Sequence, residues 1–374
     1  MLHWSQERIM QRIIPQEGIA HWLAGDRPLL AWIGDPARPN LRLRAVPDTG
    51  EPRLLPLGIT PRRLIAVPLA DGWTQLLWLD QTLPGETQLI GGTLNAMGEV
   101  ERGPTEISLT RTIDYVATRT PASAVIVLWA TPVRTAQRDQ SALYMQVLDQ
   151  TGRPLPATKL TDNGAFPALA FDARGDLHLL WLHSLATESW SIMHTRIDGR
   201  ADLARLDVAN VAASIVGAVS LPPGTALDAF RVGVDATHLY AVWSVVAVGG
   251  VASAEHDRAT LNAVTFPLDR PAEVRPLALG AGGASLREPA FPASPTDSLY
   301  LAAIATAPDG KRRPLILALK PTGSAVVEVV ARPRPVIGQP SLTIDMAGKL
   351  HLAWLDLDPD GTASLWYATN RPAP

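Results

Sequence analysis

A short apolar run ending on tryptophan recurs along this chain and limits its fold more than any other feature. It reads PLLAW at residues 28–32, TQLLW at 74–78, VIVLW at 125–129, LHLLW at 177–181, LYAVW at 239–243 and LHLAW at 350–354. LYLAA at 299–303 is a seventh copy without the tryptophan. The copies lie 46, 51, 52, 62, 60 and 51 residues apart, close to the roughly 40–50 residues of a propeller blade. Six of the 11 tryptophans share this register. Separate β-sandwiches give no reason for such a register. A propeller does, because each sheet is covered on both faces by its neighbours and a large flat side chain fills the wedge between them.

The flanks repeat as well. Pro167, Pro289 and Pro340 each stand 14 residues before the end of a copy and open an apolar run. A turn follows, as in DARGD at 172–176 and DMAGK at 345–349, where glycine accommodates the positive φ of a hairpin. A third run comes after the tryptophan (143–148, 192–197, 314–319), and then a more polar fourth, as an outer edge strand requires. The last unit runs out after residues 364–369, while the segment ERIMQRII at residues 7–14 precedes the first unit and can supply the missing strand. The prediction is an all-β, seven-bladed propeller of four-stranded antiparallel blades. Residues 1–374 form one domain, with 1–15 as the closing strand and blades at about 18–57, 62–109, 113–160, 166–209, 228–278, 288–331 and 339–370.

Residues 172–182 and 345–355 share the pattern Asp-x-x-Gly-x-Leu-His-Leu-x-Trp-Leu. With LWYAT at 365–369, they resemble the repeats of bacterial sialidase-like propellers of the BNR type. The resemblance implies a propeller and points toward carbohydrates. That family also carries an Asp-box, Ser-x-Asp-x-Gly-x-Thr-Trp, and its active members have an arginine triad, a tyrosine nucleophile with its glutamate and an acidic proton donor. The chain has no Asp-box, and none of the catalytic set matches a position in it.

Composition removes several kinds of chemistry. There is no cysteine, hence no disulfide, thiolate metal site or cysteine nucleophile. A net charge of -3 gives no global field for nucleic acid. The most apolar stretch, 241–254, is too short to span a bilayer and contains Gly249 and Gly250. The chain as given shows no signal-peptide pattern and reads as soluble; its compartment stays open, and an extracytoplasmic one is compatible with a leader encoded elsewhere.

Asp356, Asp358 and Asp360, followed by Gly361, have the spacing of a calcium loop, in which alternate carboxylates converge on a hard cation. Tyr367 stands where such a loop needs a bidentate glutamate, so an acidic solvated hairpin is the preferred reading, and no cofactor is expected unless calcium binds there. His178 and His351 occupy one repeat position in blades 4 and 7, too far apart to share a metal, and read as satisfied core residues. His183, Glu188 and His194 lie near one connection without a ligand spacing. No nucleophile elbow or phosphate loop is present, and residues 311–313 (KRR) read as a solvated basic cluster.

Connections from second to third strands, and from one blade to the next, emerge on one face, and the longest candidates are 132–141, 208–228 and 246–258. The expected function is a non-enzymatic binding or scaffolding propeller that recognises a protein or glycan through these loops. The alternative is a carbohydrate-active, sialidase-like glycoside hydrolase. Three converging arginines or two carboxylates at the channel mouth on that face would favour the alternative.

Overall fold

The register tryptophans pack where the sequence predicts, one seam after another. In the computed structural model, Trp78 lies in the cluster joining blades 1 and 2, Trp129 between blades 2 and 3, Trp181 between 3 and 4, Trp243 between 4 and 5, Trp354 between 6 and 7, and Trp32 between 7 and 1. All six are buried. The blade 5–6 seam has Ala303 on the register and is built from Tyr240, Val242, Leu286, Leu301 and Leu317. The structure describes residues 3–13, 19–25, 27–34, 40–46, 48, 50–55, 61–83, 86–134, 139–186, 188–199, 201, 203, 212–248, 259–280, 284–292, 299–307, 309–330 and 334–371.

These elements form seven four-stranded antiparallel sheets. The first, innermost strands are Ile19–Ala24, Pro61–Pro68, Asp114–Arg119, Ala165–Phe171, Thr225–Val234, Ser285–Ala290 and Val336–Ile344. Each touches the first strand of the next blade, and Val336–Ile344 touches Ile19–Ala24, so the ring closes. Closure is covalently offset: His3–Ile13 pairs antiparallel with Ala363–Arg371 and is the fourth strand of blade 7. That arrangement removes the two open sheet edges an unclosed ring would expose. Among the described residues no helix is long and apolar enough to cross a membrane.

The shared motif at 172–182 and 345–355 is a device for holding a hairpin to a strand. Asp172 accepts hydrogen bonds through Oδ1 from the backbone N–H of Arg174 and of Asp176, both 2.9 Å, while Gly175 takes φ 84°. Its Oδ2 lies 3.4 Å from His178 Nε2, and His178 Nδ1 is 3.0 Å from His194 Nε2. Asp345 repeats this with Ala347, Lys349 and Gly348, and its Oδ2 lies 3.2 Å from His351 Nε2; His351 Nδ1 meets Tyr367 Oη at 2.5 Å. Histidine at the sixth position after the aspartate is therefore a buried brace.

Two connections differ from expectation. Within 132–141, residues 132–134 and 139–141 are paired strand, since Val125–Arg134 pairs with Asp139–Leu148 as far as Arg134 opposite Asp139, and 135–138 lie outside the described residues. The 208–228 segment is not one connector: it contains the fourth strand of blade 4, Ser214–Ser220, and the start of Thr225–Val234. Its apolar residues Val216 and Val219 are buried in the blade 4–5 seam. Before that strand, residues 204–211 lie outside the described residues. In the third candidate loop, 249–258 lies outside the described residues.

Candidate functional site

The first strands do not run straight into the ring. Their pairing with the second strands slips by a residue or more between Arg62 and Ile65, Ala165 and Ala168, Leu227 and Ala229, Arg287 and Ala290, and Ile337 and Ser341. Blades 1 and 3 pair without such a shift. A β-bulge adds an unpaired residue and re-aims its side chain. In blades 2, 4 and 6 the extra residue is Arg63, Phe166 or Glu288, with φ of 51°, 50° and 54°, in the left-handed region that side chains other than glycine rarely adopt. In blade 7 two residues are extra between Ile337 and Ser341: Gly338 takes φ 66°, and Gln339 holds the position that corresponds to Phe166 and Glu288.

These bulge residues line a cavity of about 720 Å³ on the propeller axis. Its walls come from the leading parts of first strands, with Ala130 and Leu355 from the later halves of second strands and Arg312 from the start of a third. The cavity therefore lies toward the face on which second-to-third-strand hairpins emerge, the face the sequence singles out. Four arginines (Arg63, Arg231, Arg287, Arg312) and three carboxylates (Asp114, Asp228, Glu288) line it. Sequence reasoning names the ring of residues at this mouth but not its members. The nearest local signal is the residue before the strand-opening proline: Phe166 before Pro167, Glu288 before Pro289 and Gln339 before Pro340.

Arg63 forms an ion pair with Asp114 of the next blade, and its guanidinium lies 5.8 Å from the centre of the Tyr115 ring. Arg231 donates from Nη1 to the Phe230 carbonyl at 2.8 Å and from Nη2 to Gln339 Oε1 at 3.2 Å. Gln339 Nε2 in turn donates to the Pro289 carbonyl at 2.7 Å, so this chain of bonds ties blades 5, 7 and 6 together. Asp228 accepts from Ser244 Oγ at 3.1 Å.

Burial, and after it the neighbouring Asp228, holds the Glu288 carboxyl above the usual carboxylate range against the pull of Arg287, Arg231 and Arg63. Burial, then Arg63, lowers Arg231 from its ordinary value, opposed by Asp114, Glu288 and Asp228. A carboxyl raised above its usual range among arginines is suited to donating a proton or a hydrogen bond to a bound oxygen.

Tyr115 stands next to this cluster without joining it. Its hydroxyl donates to the Leu77 carbonyl at 2.8 Å and also contacts the Arg63 carbonyl, and burial raises its pKa. The histidines are elsewhere: His178 and His194 stack in the blade 4–5 seam, with Phe266 edge-on to His194, and His351 lies near His21 in the blade 7–1 seam. His183 approaches Asn163 Nδ2 at 3.3 Å, apart from the His178–His194 pair.

The aspartate-rich turn sits at the end of the second strand of blade 7. Trp354 Nε1 donates to Asp356 Oδ1 at 2.8 Å, and Ser364 Oγ to Asp358 Oδ2 at 2.5 Å. Arg334 pairs with Asp358 Oδ1, and Asp360 Oδ1 caps the turn by accepting from the Thr362 N–H (3.0 Å) and hydroxyl (2.6 Å). Each carboxylate thus answers a different protein donor. Among the described residues no group of three or more His, Cys, Asp or Glu is arranged to hold a metal ion.

No protein-family model matches the chain, and no curated protein matches it in sequence. Its fold does match solved structures. A polysaccharide lyase of family PL25, an ulvan lyase bound to -[GlcA(1-4)Rha3S]-, aligns with a TM-score of 0.57 at 6% identity, over 94% of this chain and 92% of that one. Hydrazine synthase from Kuenenia stuttgartiensis aligns at 0.55 and 11% identity, over 95% and 96%. A protein of unknown function from Dyadobacter fermentans aligns at 0.53 and 10%, over 82% and 93%. At such identities the likeness is one of fold, and it spans a carbohydrate-acting enzyme and a very different chemistry.

Proposed function

We propose that the protein is a carbohydrate-acting propeller whose axial cavity takes an anionic glycan. The observation that carries this reading is the cavity's own charge. Four arginines face three carboxylates, one of which, Glu288, is held toward its neutral form, so the cavity is net positive within a chain of net charge -3. Arginine forks suit carboxylate and sulfate groups, and the cavity falls within the roughly 300–1,000 Å³ of small-molecule sites, enough for a short oligosaccharide. The fold shared with a lyase bound to -[GlcA(1-4)Rha3S]- adds support of a weaker kind.

In this reading Arg287 and Arg63 orient the anionic group, and Glu288 acts as the proton donor to a glycosidic oxygen, with Asp228 as the second carboxylate. A sialidase-like covalent route is less well supported, because the tyrosine adjoining the cavity, Tyr115, directs its hydroxyl to backbone carbonyls. Binding without turnover is the second reading, favoured by the commitment of Arg63 to Asp114.

The test is calorimetric binding of acidic and matched neutral oligosaccharides, with product analysis by mass spectrometry. Acidic members should bind and be cleaved, and Glu288→Gln should remove cleavage while retaining binding. Binding without products would assign a lectin-like role. Equal indifference to acidic and neutral sugars would end the glycan reading.

A further inference from the structure

The left-handed bulge residues are unevenly distributed around the axis. Phe166 belongs to blade 4 and Gly338 to blade 7, across the seven-membered ring from it, while Arg63 in blade 2 and Glu288 in blade 6 stand on the two flanks between them. The cavity thus has one aromatic wall and, opposite it, an open position at Gly338, beside which the Gln339 side chain is held to Arg231 and the Pro289 carbonyl. A Cβ built on Gly338 would meet nothing within 4 Å, so the space beside it is open. Asp71 and Ser123, the other described non-glycine residues at positive φ, belong to the connections between first and second strands, away from the cavity. Glycine would adopt the same backbone at Arg63, Phe166 and Glu288 without steric conflict, so the side chains there are kept against a local preference.

We infer that these four bulge positions form a slot for a single pyranose ring: Phe166 takes the ring's apolar face, Gly338 leaves room for its opposite face, and Arg63 and Glu288 hydrogen-bond substituents on its two edges. This inference rests on the reading of the cavity as a glycan site and adds which residues select the ring. An aromatic face offers a large, stiff apolar surface at small entropic cost, whereas the flanking charged groups supply direction. Phe166 is itself supported from behind by the blade 4–5 core, which keeps the wall in place. The slot predicts a ligand with one exposed C–H face and an anionic substituent on the ring edge, as in a hexuronate unit.

The deciding experiment measures affinity and melting temperature together, using uronate-containing di- and tetrasaccharides and their methyl esters as probes. Phe166→Gly should lower affinity for the uronate probes by about tenfold or more, the loss expected of a removed stacking wall, with no loss of melting temperature beyond that of the missing core contact. Glu288→Gly should lower affinity similarly with melting temperature unchanged or raised, because glycine relieves the backbone. Gly338→Asn, a residue that tolerates φ above zero, should weaken binding by filling the slot while leaving the fold intact. Methyl esters should bind more weakly than the free acids to the wild type. If the wild type binds the uronates and all three variants bind them equally well, the slot is wrong while the glycan reading stands. If the wild type binds none of the probes, both fail.

Discussion

At Trp32, Trp78, Trp129, Trp181, Trp243 and Trp354 the blades repeat one another, each placing the same side chain in the same kind of seam. At the leading ends of the first strands they do not: blades 2, 4 and 6 present Arg63, Phe166 and Glu288 at matching bulges, and blade 7 presents Gly338 in a bulge one residue longer, four residues of unlike chemistry. The middle of a blade is governed by the wedge it must fill, which is filled by the register tryptophan at six seams of seven. The axial end has only to keep the chain's path, so its side chains are free to differ, and a common bulge turns that freedom into a shared cavity.

The comparison can be broken at its most repetitive end first. Removing residues 1–13 takes away the strand paired with Ala363–Arg371. We expect loss of a large fraction of the roughly 5–15 kcal/mol typical of a folded domain, in a single transition. A truncated chain that melts like the full one would mean the ring does not depend on this closure.

Next, Trp354→Ala should cost about 3–5 kcal/mol by opening a cavity in the blade 6–7 seam, and Trp181→Ala a similar amount, since both are buried. Trp190 is off the register and only half-buried, so its replacement should cost clearly less. Denaturant unfolding of the three variants gives the ranking, and equal costs would deprive the register of its meaning.

The two histidine seams predict acid sensitivity. Burial, helped by His351, pushes His21 down to about 3, and burial with His178 and Arg196 pushes His194 down to about 3. The unfolded chain takes up protons below about 6.5, which the folded protein refuses until about 3. Stability should therefore be complete above pH 6.5 and fall as pH drops toward 3, by a total on the order of a few kcal/mol. Replacing His21 with Gln should flatten part of that fall in thermal melts between pH 6.5 and 4; an unchanged slope would locate the acid sensitivity elsewhere.

Smaller effects test the turn and the axis. Asp358→Ala should cost about 1–2 kcal/mol, from loss of its bonds with Arg334 and Ser364, whether or not calcium is added. A calcium-dependent rise in the wild-type melting temperature, abolished in this variant, would instead make the loop a metal site. Gln339→Ala should cost a comparable amount by cutting the link from Arg231 to Pro289.

By itself the sequence determined the seven blades, their strand order, the closure by the N-terminal strand and the buried register, because a wedge repeated every fifty or so residues imprints itself on every copy. It also announced the braced hairpins at Asp172 and Asp345, though it could not say that the histidines were their partners. Only the tertiary structure brought Arg63, Asp228, Arg231, Arg287 and Glu288 together, from positions up to 225 residues apart in the numbering of the chain. No local spacing encodes that meeting, since it arises from seven strands converging on one axis. It is there that bulges, each a slip of pairing invisible in composition, decide which side chains face the ligand.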